Sequence, residues 1–239
     1  MRLYKIFTTV VLALFSLYGI AAFEGNIQIS LTDDKGVAKN CIIKLKDTLA
    51  IIQPINADNK KFDSYIINLQ TGTLMAVSNS TKKVVLSCPL DSLTAWYENR
   101  GLKDGYKQHN AYEYKTTDKT KTVDNQTAKK LVFENELVKH SVWATECTSP
   151  LEKLLPFLRL LGFWNDIESS AKTCVVEGDS YNKASKRNTT VRAIIKSEKI
   201  DAGSFKVASD YVTKDLGQII RKKGNTPEGN TVIQSFFSF

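Results

Sequence analysis

The chain predicts an α+β fold: one large curved antiparallel sheet, a half-barrel, with one or two helices packed on its concave face. Three observations carry that expectation. From Phe23 onward, apolar and polar residues alternate with period two through a long series of short segments. Clusters of Asp, Asn, Gly, Ser and Thr separate those segments, as turns require. A single Leu-rich segment, Leu151–Leu161, comes late and is apolar around most of a helical circumference, so it must be covered on most sides.

The elements follow in order. Residues 1–22 read as a secretory signal peptide: Arg2 and Lys5, an apolar run from Ile6 to Leu17, then small residues at Gly19-Ile20-Ala21-Ala22. That run is short for a membrane span. The chain is therefore expected to be exported, to a periplasm or the extracellular space. Residues 23–223 are expected to form a single half-barrel domain, with 224–239 as a tail or last strand. Without the first 22 residues, 217 remain, enough for one sizeable core.

Ile27, Ile29 and Leu31 alternate with Gln28, Ser30 and Thr32 in the first strand, and Asp33-Asp34-Lys35-Gly36 turns it. Cys41, Ile43 and Leu45 continue the pattern to the turn at Asp47-Thr48. Leu49–Ile52, Tyr65–Leu69, Leu74–Val77 and Lys83–Cys88 are the next strands. Pro89 to Leu93 begins a short helix carrying Trp96 and Tyr97. Strand patterning resumes in His109–Thr117, Lys119–Asp124, Ala128–Phe133 and Leu137–Thr145.

Ser149 then caps the clearest helix, with Pro150 in its first turn and Glu152 three residues after the cap. Pro156 kinks it or divides it. Cys174–Glu177 and Thr189–Lys196 read as strands, and Ser209–Arg221 as a short helix. At the end, Ile233, Phe237 and Phe239 alternate as in a strand. The upstream strands are too short and too charged for a membrane-barrel belt.

Hydrophobic residues make up 42% and charged residues 24%, as in ordinary globular proteins. The net charge is +8, of which Arg2 and Lys5 supply two. Basic pairs such as Lys129-Lys130 and Lys186-Arg187 are scattered, which suits solvated strand ends and loops. A sharper reading is a surface that meets an anionic membrane or polysaccharide. Nucleic acid is not expected, because no aromatic-basic module is present.

Four cysteines remain in an exported chain. Cys41 and Cys88 fall in phase with apolar strand faces and read as core residues. Cys147 and Cys174 flank the Leu-rich helix and are the candidate disulfide. No metal or cofactor is expected, since there is no CxxC, no Cys/His cluster, no HExxH, no GxSxG and no Walker loop. His109 and His140 are the only histidines. Asp33-Asp34 and Glu134/Glu136 are carboxylate pairs, but each sits in a predicted turn. Catalysis therefore finds no motif.

The apolar side chains near the helical segments point elsewhere. Trp96, Trp143, Leu154, Phe157, Leu158, Leu161 and Trp164 are the candidate lining of an apolar pocket between sheet and helix. A dry packed core is the plain alternative. Each buried CH₂ contributes roughly 0.8 kcal/mol, so an acyl chain needs no polar motif to bind.

The order of parts resembles a family of uncharacterised exported proteins common in Bacteroidota. The resemblance rests on Phe23-Glu24-Gly25 after the signal, on the hairpin Val123–Phe133, and on Val142-Trp143-Ala144-Thr145-Glu146 leading toward a helix. That family is similar in architecture to the lipoprotein-carrier half-barrels (LolA/LppX-like), whose curved sheet cups helices over an apolar cavity. Here the family's Met-rich strands are missing, and Ala128 stands where a Cys is frequent. The resemblance implies a non-catalytic protein binding a lipid, a lipoprotein acyl chain or an envelope protein, and it supplies no catalytic residues. The alternative is a structural or interaction module of the envelope without a ligand cavity.

Overall fold

Alternation in the first strand sends Ile27, Ile29 and Leu31 to one side, and their cross-strand partners Ile43, Cys41, Ile195 and Ala193 join them in one buried layer. The computed structural model describes residues 23–55, 61–78, 83–98, 115–123, 126–146, 154, 157–158, 160–161, 173–224 and 226–237. Among these, twelve strands form one open sheet. They are β1 (Gly25–Asp33), β2 (Ala38–Lys46), β3 (Leu49–Ile55), β4 (Ser64–Asn68), β5 (Thr73–Ser78) and β6 (Val84–Pro89), then β7 (Lys115–Val123), β8 (Gln126–Glu134), β9 (Val138–Glu146), β10 (Thr173–Asn182), β11 (Arg187–Ser197) and β12 (Val212–Asp215). The spatial order is β12-β6-β5-β4-β3-β2-β1-β11-β10-β9-β8-β7. The first strand thus lies mid-sheet, and β11 returns to pair with it. All neighbours are antiparallel except β12 and β6.

Among the described residues, three helices with both ends described join the sheet in an α+β fold: α1 (Leu90–Glu98), α2 (Leu216–Lys223) and α3 (Pro227–Ser235). Leu93 and Trp96 of α1, Leu216 and Ile220 of α2, and Ile233 of α3 bury into the layer on the concave face. On the opposite face, Ile51, Ile66, Val77 and Val85 are covered by Ile200 and by Phe205 of a short 3-10 turn, Ala202–Phe205. Strands β3 to β6 are therefore covered on both sides.

Two expectations are corrected. The alternation at the C-terminus is not a strand: Ile233 lies in α3, Phe237 follows two residues after the end of that helix, and both are buried. Thr226 starts this helix, its hydroxyl accepting the Gly229 amide at 3.1 Å, with Pro227 at the first helical position. Residues 226–237 are thus neither last strand nor tail. Within Ser209–Arg221, a strand precedes the helix: the Val212 amide bonds to the Lys83 carbonyl at 2.9 Å, and Asp215 caps α2 by accepting the Gln218 amide at 2.9 Å. The predicted strand from His109 lies outside the described residues up to its last part, which belongs to β7.

Glu24 ties the chain's start to the covering segment. Its Oε1 accepts the Ile200 amide at 2.7 Å and Lys46 Nζ at 3.0 Å, while Lys46 Nζ also donates to the Ile200 carbonyl at 2.8 Å. The Ile200 amide, then Lys46, hold the Glu24 carboxyl below its ordinary pKa. With the folded pKa depressed, the unfolded chain binds the proton first as pH falls. The contribution is therefore present above the unfolded pKa and fades as pH drops through the folded one. We predict that Glu24→Gln lowers the urea midpoint at neutral pH, and that the gap to wild type closes in acid. A gap independent of pH would show that the carboxylate charge contributes nothing.

Candidate apolar site on the concave face

Within the Leu-rich segment, the described residues Leu154, Phe157 and Leu158 adopt helical backbone and pack into the core with Leu161. Leu154 and Leu158 have no exposed surface. An aromatic cluster surrounds Phe157. Its ring lies 5.3 Å from Tyr65 and 6.0 Å from Phe237, edge to face in both cases, and Tyr65 stacks on Phe237 at 5.9 Å. Phe62 extends the cluster, at 6.1 Å from Tyr65 and 5.8 Å from Phe236. The Tyr65 hydroxyl donates to the Phe236 carbonyl at 2.9 Å, and burial pushes its pKa up, so it stays a neutral donor. Trp96 closes the far side, its indole N–H donating to Asn230 Oδ1 at 3.2 Å. This part of the concave face is a closely packed apolar and aromatic core.

Toward the β7 side the lining changes. Leu131, Val142, Ala144 and Val175 form a second buried cluster. Val191 packs against both this cluster and the main core, so the two are continuous. Cross-strand partners confirm a common face: Leu131 opposes Val142, and Gly178 opposes both Val142 and Val191. Among the described residues, this second cluster contains no helical side chain. His140 is buried on the same side of β9, its ring stacked on Phe133 at 5.9 Å.

Of the predicted pocket residues, Trp96, Leu154, Phe157, Leu158 and Leu161 are brought together in one core. Trp143 is not. It sits between Val142 and Ala144, so strand alternation turns it to the opposite face. There Lys121 Nζ lies 4.7 Å and Lys130 Nζ 5.8 Å from its ring, and Lys121 pairs with Glu177 at 2.8 Å. Trp164 and Cys147 lie outside the described residues. Cys174 is disulfide-bonded, and Cys41 and Cys88 are free and buried. Desolvation pushes the Cys88 thiol up to about 12 and the Cys41 thiol higher still, so neither is a nucleophile.

The carboxylates of the turns serve the turns. Asp33 Oδ1 accepts the amides of Lys35 and Val37, and Glu134 pairs with Lys183 at 2.8 Å and Lys139 at 3.3 Å. Among the described residues, no group of three or more His, Cys, Asp or Glu could hold a metal ion. Sequence reasoning missed Tyr65, Phe62 and Phe237. Their signal was the Phe pair at 236–237, which the alternation reading placed in a strand.

No protein-family model matches the chain, and no curated protein matches it. Among solved structures, the chain is similar to PNGF-II at 16% identity and a TM-score of 0.39, over 84% of this chain and 33% of that one. It thus spans about a third of PNGF-II's length. It is also similar to an uncharacterised conserved protein from Thermus thermophilus, at 6% identity and a TM-score of 0.44, over 80% of this chain and 91% of that one. A LolA-superfamily protein from Nitrosomonas europaea aligns at 9% identity and a TM-score of 0.31, over 80% and 92% of the two chains.

Proposed function

We propose that this is an exported, non-catalytic protein that binds an apolar or amphiphilic, lipid-like ligand on the β8–β11 part of its concave face. One observation carries the reading: the apolar lining continues beyond the sealed aromatic core. It runs through Val191 to Leu131, Val142, Ala144 and Val175. Ala144 and Ala193 present only small side chains to that lining, so a bound chain would meet little bulk there. The ligand would occupy this stretch, and the Phe157 cluster would form its closed end. The signal-like residues 1–22 support export.

Native mass spectrometry of protein purified from its host tests this. The expected result is a co-purifying lipid mass that disappears in Ala144→Trp while the fold persists. A ligand-free wild type, or equal lipid in Ala144→Trp, would sink the proposal.

The interaction-module alternative would use a free sheet edge. Both edges discourage pairing: β7 carries Lys115, Lys119 and Lys121 with a register break between Thr116 and Thr120, and β12 is only four residues long.

A further inference from the structure

The segment carrying Ile200 and Phe205 packs on the outer face of β3 to β6. On β1 and β11 that face is open: Gln28, Arg192 and Lys196 are exposed. Strand parity assigns the side chains. Ile27, Ile43, Ala193 and Val142 are buried toward the core, so their neighbours Gln28, Lys44, Arg192 and Trp143 face out. Along β1, β2 and β7 to β11, the paired positions turn eight cations outward against three carboxylates.

Those three carboxylates are engaged. Glu134 pairs with Lys139, Glu177 pairs with Lys121, and Asp179 accepts the Thr190 hydroxyl at 3.0 Å. At the same end as Lys44 and Lys196, Glu24 is held by Lys46 and Glu198 by the Asn26 side-chain amide. With these two counted in, eight cations still face five carboxylates. Asp118 and Lys119, inside the register break of β7, offset each other. The turn acids Asp34, Asp47 and Glu136 lie beyond the strand ends. Among the described residues, Lys44, Lys115, Lys130, Arg192 and Lys196 make no ion pair.

Register sets the spacing of these free charges. Lys44 opposes Asn26, which opposes Lys196, so the two lysines stand two strands apart, roughly 10 Å. Arg192 lies four residues from Lys196 along β11, roughly 13 Å. Lys130 extends the Arg192 row across Trp143 and Glu177. Between the two charged rows runs Ile194–Gln28–Ile42, an exposed amide between two half-buried aliphatic side chains.

We propose that the outer face of β11, β1 and β2 binds an anionic polysaccharide. Cations so far apart cannot close on one small anion; they suit charges repeated along a chain. A sugar ring has aliphatic C–H faces and a hydroxyl edge, which Ile194 and Ile42 on the one hand, and Gln28, Ser30 and Asn40 on the other, can meet. A protein partner would favour an apolar centre poor in lysine. A bilayer would need apolar side chains to insert, and of the exposed large apolar residues only Tyr181 belongs to this face. A nucleic acid would need rings on which bases stack, and the ring of Trp143 already carries Lys121 and Lys130. The inference goes beyond the ligand reading and stands on the other face of the sheet, so a lipid-free protein leaves it untouched.

The test is affinity electrophoresis of the full chain through gels containing alginate, a polyuronate, against gels containing neutral dextran. Retardation is expected in alginate only, weakening with added salt. Arg192→Glu with Lys196→Glu is expected to weaken it by about tenfold or more, and Arg192→Gln with Lys196→Gln by a smaller factor. Lys222→Glu with Lys223→Glu makes the same charge change on α2, away from this face, and should bind as wild type. Unchanged thermal melts establish that these surface variants are folded. Soluble alginate should compete better than poly-glutamate or duplex DNA of equal charge. No retardation in alginate, equal losses in the two Glu pairs, or equal competition by poly-glutamate or DNA overturns the proposal.

Discussion

Phe157→Ala is expected to cost about 3–5 kcal/mol of stability, enough to threaten folding of a typical domain. Phe157 is buried and meets both Tyr65 and Phe237, so truncation leaves a cavity at the junction of the Leu-rich segment, β4 and the C-terminus. The rings around it cannot collapse freely, because the Tyr65 hydroxyl is anchored to the Phe236 carbonyl. Equilibrium urea unfolding measures the loss, and Phe157→Leu, which keeps much of the volume, should recover a large part of it. A loss below about 1 kcal/mol for the alanine variant would mean that the cluster is not the closely packed core described above.

Gly178→Ala is expected to destabilise by about 2–3 kcal/mol, although it adds only a methyl group. A Cβ at this position would lie 2.6 Å from both Val142 Cα and Val142 Cγ1, and 2.7 Å from the Ser141 carbonyl oxygen. Two of those atoms are backbone, so no rotamer change relieves the overlap. Either β9 and β10 separate or the methyl group displaces Val142 from the lining. The variant should therefore show a lower urea midpoint and faster amide exchange in β9 and β10. Wild-type stability in Gly178→Ala would show that the two strands are not in such close contact.

The hairpin series was legible because strand alternation is local. Ile27/Ile29/Leu31 and Cys41/Ile43/Leu45 state their buried face in sequence, and Asp33, Asn68 and Asn182 accept backbone amides in their own turns. The C-terminus misled for an equally local reason. Ile233 and Phe237 share the parity of a strand, but the cap at Thr226 puts Ile233 in a helix that ends at Ser235, and Phe237 folds back into the core just beyond it. Trp143 misled differently. Its bulk and its neighbourhood to the Leu-rich segment suggested a lining role, but the parity of β9 gives that role to Val142 and Ala144 and leaves Trp143 beneath two lysines.

By itself, the sequence determined the class of fold, the succession of strands and turns, and the presence of a helical segment too apolar to remain uncovered. Each of these depends on residues within a few positions of one another. Only the tertiary structure decided that β11 returns to β1, that Tyr65, Phe157 and Phe237 meet, and that Lys44, Arg192 and Lys196 share the outer face of the sheet. Those juxtapositions bring together residues far apart in the chain, where periodicity carries no information. They are selected by which apolar faces can be buried together and which hydrogen-bond ladders can close at once.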